Sequence, residues 1–201
     1  MSQQSPTVVA FSYDVLDRME DAVARVRERL IRAVEALNSA RLPYAVVGGN
    51  AVAAWVSRID PGKARNTVDV DLLVRRDDLA EVIKALESAG FVYSFTYGVH
   101  LFVDGPNGRP SEGIHLLFAK EKVKSNDLIA APDVEHVEPE EHWQVAPLES
   151  LVSMKLITYR RKDQVHLQDL IDVGLIDASW PARFPPPLDE RLQALLDDPD
   201  G

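Results

Sequence analysis

Asp69 and Asp71 lie two residues apart in the run Val68-Asp69-Val70-Asp71-Leu72-Leu73-Val74. On an extended strand, alternation sends both carboxylates to one face and Val68, Val70 and Leu72 to the other. Carboxylates so placed repel each other, and a strand that tolerates them ordinarily offers them a cation. Hard oxygen ligands in this arrangement suit Mg²⁺ or Mn²⁺, above all beside a phosphate-bearing ligand. The other reading is the solvated face of an edge strand, and the apolar Leu72, Leu73 and Val74 argue against it.

A second feature is Gly48-Gly49-Asn50, which follows the apolar run Tyr44-Ala45-Val46-Val47 and leads into the small apolar segment ending at Val56. A glycine pair at a strand-to-helix turn lets backbone N–H groups approach a phosphate at the positive end of a helix. Asn50 can add a side-chain donor. Taken alone, the pair also reads as a tight turn that needs glycine. The third glycine of a dinucleotide fingerprint is missing, and no Lys-Ser/Thr follows as in a P-loop.

Together, these two features resemble the nucleotidyltransferase superfamily of the DNA polymerase β type. The segment from Arg65 to Asp71, with Lys155, Arg160-Arg161-Lys162-Asp163 and Asp169-Leu170, is closest to its bacterial AbiEii-like branch, which includes toxins of type IV toxin–antitoxin systems. The resemblance spans roughly residues 44–177. It implies that Gly48, Gly49 and Asn50 cradle the triphosphate of an NTP and that Asp69 and Asp71 hold Mg²⁺ or Mn²⁺. It further implies that Arg65, Lys155, Lys162 and Asp163 belong to the nucleotide site. The implied reaction moves a nucleotidyl group to a hydroxyl on RNA, protein or a small molecule; a module that binds the nucleotide without transferring it is the alternative. The toxin branch also implies a cognate partner protein.

The second block has its own physical reading. Lys155 lies on the apolar side of its helix, where a lysine either snorkels to water or reaches an anion. Asp163 reads equally as a helix N-cap. Arg160 and Arg161 extend the basic face. The family carries a third carboxylate where this sequence has His115, in Gly113-Ile114-His115-Leu116-Leu117-Phe118. Imidazole serves Mg²⁺ poorly but suits Mn²⁺ or Zn²⁺. His115 can act as a base near neutrality, mark a site that has lost transfer, or pack in the core. His166, three residues before Asp169, reads as helix surface.

The surrounding pattern predicts α/β (α+β) architecture: a mixed sheet flanked by helices, with a helical C-terminal part. Residues 1–11 read as a polar tail, 12–146 as the α/β core with its N-terminal helix, and 147–201 as helices packed on that core. Apolar residues from Val15 to Leu37 at steps of three and four predict a long amphipathic helix with Ser12 as N-cap. Strands are expected at 44–47, 68–74, 91–95, 99–103 and 114–118. Asp77 or Asp78 is the expected cap of the helix that Gly90 ends. Residues 127–141 are expected to be an irregular surface segment. Helices are expected at 148–159, 163–173 and 188–196.

Composition narrows the function classes. The 201 residues carry a formal charge of −10, which disfavours bulk binding of duplex DNA. The chain contains no cysteine, which excludes disulfides, thiolate zinc sites and cysteine nucleophiles. The longest uncharged stretch, Leu42–Ser57, is broken by Pro43 and two glycines and falls short of a membrane span. A soluble, cytoplasmic protein is expected.

Overall fold

The computed structural model describes residues 13–123 and 127–198. The expected tail and the Ser12 cap lie outside them. A seven-stranded mixed sheet runs in the order β3-β4-β5-β2-β1-β7-β6. Its strands are β1 (Tyr44–Val47), β2 (Val70–Val74), β3 (Phe91–Thr96), β4 (Val99–Asp104), β5 (Ile114–Phe118), β6 (Glu138–Pro139) and β7 (Gln144–Val145). β2 pairs parallel with β5 and β1 parallel with β7, while the other pairings are antiparallel.

Two helices, α1 (Tyr13–Ser39) and α3 (Leu79–Ser88), cover one face of the sheet. There Leu30, Val34 and Leu37 meet Val46, Leu72, Ile114 and Phe102. The apolar stripe of α1 turns inward from Leu30 onward. Its first half stands off the core, and Leu16, Met19 and Val23 are exposed. On the other side, α2 (Gly48–Ser57) shares a core with α4 (Leu148–Thr158), α5 (Arg161–Asp172) and α6 (Leu188–Asp197). Leu73, Val47 and Ala45 face this second side, with Leu117 and Met154 packed beside them. Among the described residues, no helix is long and apolar enough to cross a membrane.

Four local expectations are corrected. The strand expected from Val68 starts at Val70. β1 ends at Val47, opposite Asp71, so Val68 and Asp69 find no strand partner there. Their carbonyls accept instead from Arg29 Nη1 at 3.3 Å and Asn50 Nδ2 at 2.8 Å. Neither expected cap is formed by a side chain. A 3₁₀ turn at Arg76–Asp78 runs directly into α3, and Asp78 before it makes no cap bond.

The segment at 127–141 is not wholly surface. Ala131 and Val134 are buried, and Glu138–Pro139 pairs with Gln144–Val145 at the sheet edge. Asp163 sits inside α5, which starts at Arg161, rather than before it. Its carboxylate still accepts from the backbone N–H of Arg160, at 3.2 Å, so it satisfies a helix-end donor from the third helical position.

Candidate active site

The parallel register of β2 and β5 sets Asp71 opposite His115. Paired residues of neighbouring strands project on the same face. Asp69, in the bend just before β2, turns its carboxylate to the same place. Ligand atoms of Asp69, Asp71 and His115 all lie within 4.8 Å of one another, and each side chain is partly exposed. His115 Nδ1 is 3.6 Å from Asp71 Oδ1. The contact with Asp71 raises the His115 pKa, and burial opposes that rise. Burial would also raise the Asp69 pKa. The Thr67 hydroxyl, donating at 2.7 Å, and the charge of Lys162 outweigh it and leave the pKa lowered.

Gly48 lies against this cluster. Its φ is +69°, and a Cβ built there would fall 1.9 Å from Asp71 Oδ2. Only glycine meets both demands. Gly49 is needed for a different contact, since its Cβ would come within 2.9 Å of Thr67 Oγ1. Asn50 spends its amide on the Asp69 carbonyl and so fixes the bend that aims the carboxylate.

The opposite wall comes from α4 and α5. Lys162 Nζ is 3.7 Å from Asp69 Oδ2. Lys155 is 5% exposed and donates to Asp163 at 3.2 Å. Asp163 is fully buried and also accepts from Thr158 Oγ1 at 2.9 Å and Arg160 Nε at 2.7 Å. Burial works to raise the Asp163 pKa, but Arg160, Lys155 and Thr158 overcome it and bring the value down to about 2. Burial lowers the Lys155 pKa against the opposing charge of Asp163. Asp163 therefore holds two cations, Lys155 and Arg160, at the wall.

A cavity of about 480 Å³ joins these parts. Gly48, Asp69, Asp71 and His115 line it on one side, with Lys155, Arg160, Lys162 and Asp163 on the other. Arg65 stands apart. Its Nε lies 2.8 Å from both carboxylate oxygens of Asp169, and it lines a separate groove beside Arg27, Arg58 and Trp143.

One contributor escaped sequence reasoning, and one histidine on α5 is placed differently from its expectation. Thr67 orients Asp69 and is signalled only by a hydroxyl two positions earlier. His166, expected at the surface, turns inward instead. Its Nδ1 is buried without a hydrogen-bond partner. Burial and the nearby Lys155 charge push its pKa down to about 4.

By sequence, no family model and no curated protein matches the chain. Solved structures do match. The antibiotic-resistance factor ANT(2″)-Ia is 16% identical, with 88% of this chain and 93% of that one covered at a TM-score of 0.54. An antigenic nucleotidyltransferase-like protein from Paracoccidioides brasiliensis is 18% identical, with 86% and 88% covered at 0.52. A candidate nucleotidyltransferase from H. pylori is 16% identical, with 89% and 78% covered at 0.52. The chain has the nucleotidyltransferase fold. At such identities the likeness concerns fold alone. The AbiEii-like affiliation stays a resemblance of sequence.

The donor set of the nucleotidyltransferase-fold cluster suits a divalent cation. Two carboxylates supply hard oxygens and charge, and an imidazole completes the trio. Mn²⁺ accepts that mixture more readily than Mg²⁺.

Proposed function

We propose that the protein transfers a nucleotidyl group from an NTP to a hydroxyl acceptor. The observation that carries this reading is the convergence of Asp69, Asp71 and His115 within 4.8 Å against Gly48, facing Lys162 across one cavity. Asp69 and Asp71 would hold the divalent cation, which neutralises phosphate charge when bound. Lys162 and Arg160 would draw the β- and γ-phosphates to the α5 wall, with Lys155 and Asp163 fixing that wall from behind. The backbone at Gly48 would approach the phosphates without a side chain intervening. The acceptor oxygen attacks the α-phosphorus, the bond to the β-bridging oxygen breaks, and pyrophosphate leaves with those electrons. His115 stands beside the reacting centre and takes the hydroxyl proton.

His115 also favours a second reading, nucleotide binding without transfer. An imidazole in place of a carboxylate leaves one fewer negative charge to hold Mg²⁺. The finer affiliation, with AbiEii-like toxins and a cognate partner protein, rests on the sequence blocks around Asp69–Asp71 and Lys155–Asp163. RNA and protein hydroxyls are acceptors on that view.

The test is transfer of label from α-³²P NTPs with Mg²⁺ or Mn²⁺, beside calorimetric NTP affinity. Transfer is expected from the native chain and not from Asp69→Asn/Asp71→Asn. Lys162→Ala should weaken NTP binding by about 1–3 kcal/mol, the scale of a charge-assisted hydrogen bond. NTP binding without transfer under either metal would establish the second reading. No NTP binding at all would sink both.

A further inference from the structure

We infer that the end of the cavity beyond His115 is the acceptor subsite, and that it takes a small, uncharged hydroxyl compound with an apolar or aromatic body. This rests on the transfer reading above. In an in-line displacement the attacking and leaving oxygens lie on opposite sides of the phosphorus. The two sides can be told apart here. Lys162 flanks Asp69 at 3.7 Å, on the α5 wall with Arg160, where the leaving pyrophosphate finds positive charge. His115 flanks Asp71 at 3.6 Å and is carried by β5, beside β4 in the sheet, whereas Lys162 is carried by a helix. The acceptor hydroxyl therefore enters past His115.

The surface it would cross carries aliphatic side chains among charged ones. Leu117 lies two residues beyond His115 on the same strand face. Val99 at the start of β4 and Val123 and Ile129 after β5 add apolar lining, and Met154 and Ile157 add to it from α4. Val99 is 43%, Val123 54% and Ile129 37% exposed, so apolar surface is bare in continuity with the metal-ligand cluster. Burying such surface favours an apolar ligand body.

Charge points the same way. Glu121 is held by Arg76 through bonds of 2.7 and 2.6 Å, and Asp163 is paired with Lys155. Asp127 shares this end of the cavity with Lys122. An uncharged phenol or alkanol needs no counter-charge from a surface whose charged groups carry both signs.

The probes are 4-propylphenol and, as a polycationic hydroxyl compound, tobramycin. Both are followed by calorimetry on the full chain with Mn²⁺ and, in parallel, with Mg²⁺, in the presence of a non-hydrolysable ATP analogue whose own affinity is read in the same way. The expected result is binding of 4-propylphenol that falls about tenfold or more in Val99→Lys and less in the near-isosteric Val99→Thr, with analogue affinity retained. Three results would overturn the acceptor class while leaving the transfer reading standing: analogue binding without phenol binding, phenol binding indifferent to both variants, or tighter binding of tobramycin. Failure of the native chain to bind the analogue would remove the transfer reading and the acceptor role together.

Discussion

His115 stands beside Asp71 across the parallel pairing of β2 with β5, its Nδ1 3.6 Å from Asp71 Oδ1. An imidazole thus stands with two carboxylates in a group whose ligand atoms lie within 4.8 Å of one another. Such a mixture of oxygen and nitrogen donors suits Mn²⁺ better than Mg²⁺.

The first prediction concerns that preference. Calorimetry should show Mn²⁺ binding that disappears in Asp69→Asn/Asp71→Asn while the circular dichroism spectrum is kept. His115→Asp should tighten Mg²⁺ binding by about tenfold, because oxygen and charge replace a borderline nitrogen. Unchanged Mn²⁺ affinity in the double variant would show that the cluster is not the metal site.

Gly48 separates two costs that usually travel together. Gly48 and Gly174 both have positive φ, +69° and +76°. A Cβ at Gly174 meets nothing within 4 Å, whereas at Gly48 it collides with the Asp71 carboxylate. Gly174→Ala should cost about 1–2 kcal/mol in urea unfolding, the backbone penalty alone. Gly48→Ala should cost more and also weaken Mn²⁺ binding by displacing Asp71. Equal costs, with metal affinity intact, would contradict the collision.

The Lys155–Asp163 pair should behave as a buried ion pair. Removing only the anion, in Asp163→Leu, should cost about 3–5 kcal/mol by stranding a buried cation. The double variant with Lys155→Met should cost less than that. The folded Asp163 pKa of about 2 lies below its ordinary value, so its contribution is complete above pH 4. It is lost as the pH falls from 4 toward 2, a change on the order of 2 kcal/mol. Denaturant titrations across that range check it; additive single and double variants would refute the pairing.

His166 should make the fold acid-sensitive at milder pH. Its pKa is depressed from 6.5 to about 4, so the unfolded chain takes up a proton that the folded one refuses. Stability is therefore full above pH 6.5 and falls as the pH drops from there toward 4, by on the order of 2–3 kcal/mol. His166→Gln should flatten this part of the profile. An NMR titration placing the His166 midpoint near 6.5 would show that the ring is solvated after all.

The order of the six α-helices and of β1 to β5 was legible in the sequence because period-two and period-3.6 apolar patterns are local properties of the chain, whereas the two short edge strands β6 and β7 carry no such pattern. The strands at 44–47 and 114–118, the helix opening on Gly48 and the Asp69–Asp71 pair all follow from neighbours a few residues apart. The sequence also carried the Gly-Gly and Asp-x-Asp blocks together, and with them the fold. Tertiary structure decided the rest. β2 is shortened at Val70 because Arg29 and Asn50, distant in sequence, take the carbonyls of Val68 and Asp69. Arg65 joins Asp169 and leaves the cavity, although its place beside the Asp-x-Asp block implied a nucleotide role. His166 goes inward because α5 packs between α2 and α4, and no pattern within one helix reveals which neighbours cover its flank. Most of all, His115 meets Asp71 only through the pairing of two parallel strands 44 positions apart, and register between strands is fixed by the packed sheet rather than by either strand alone.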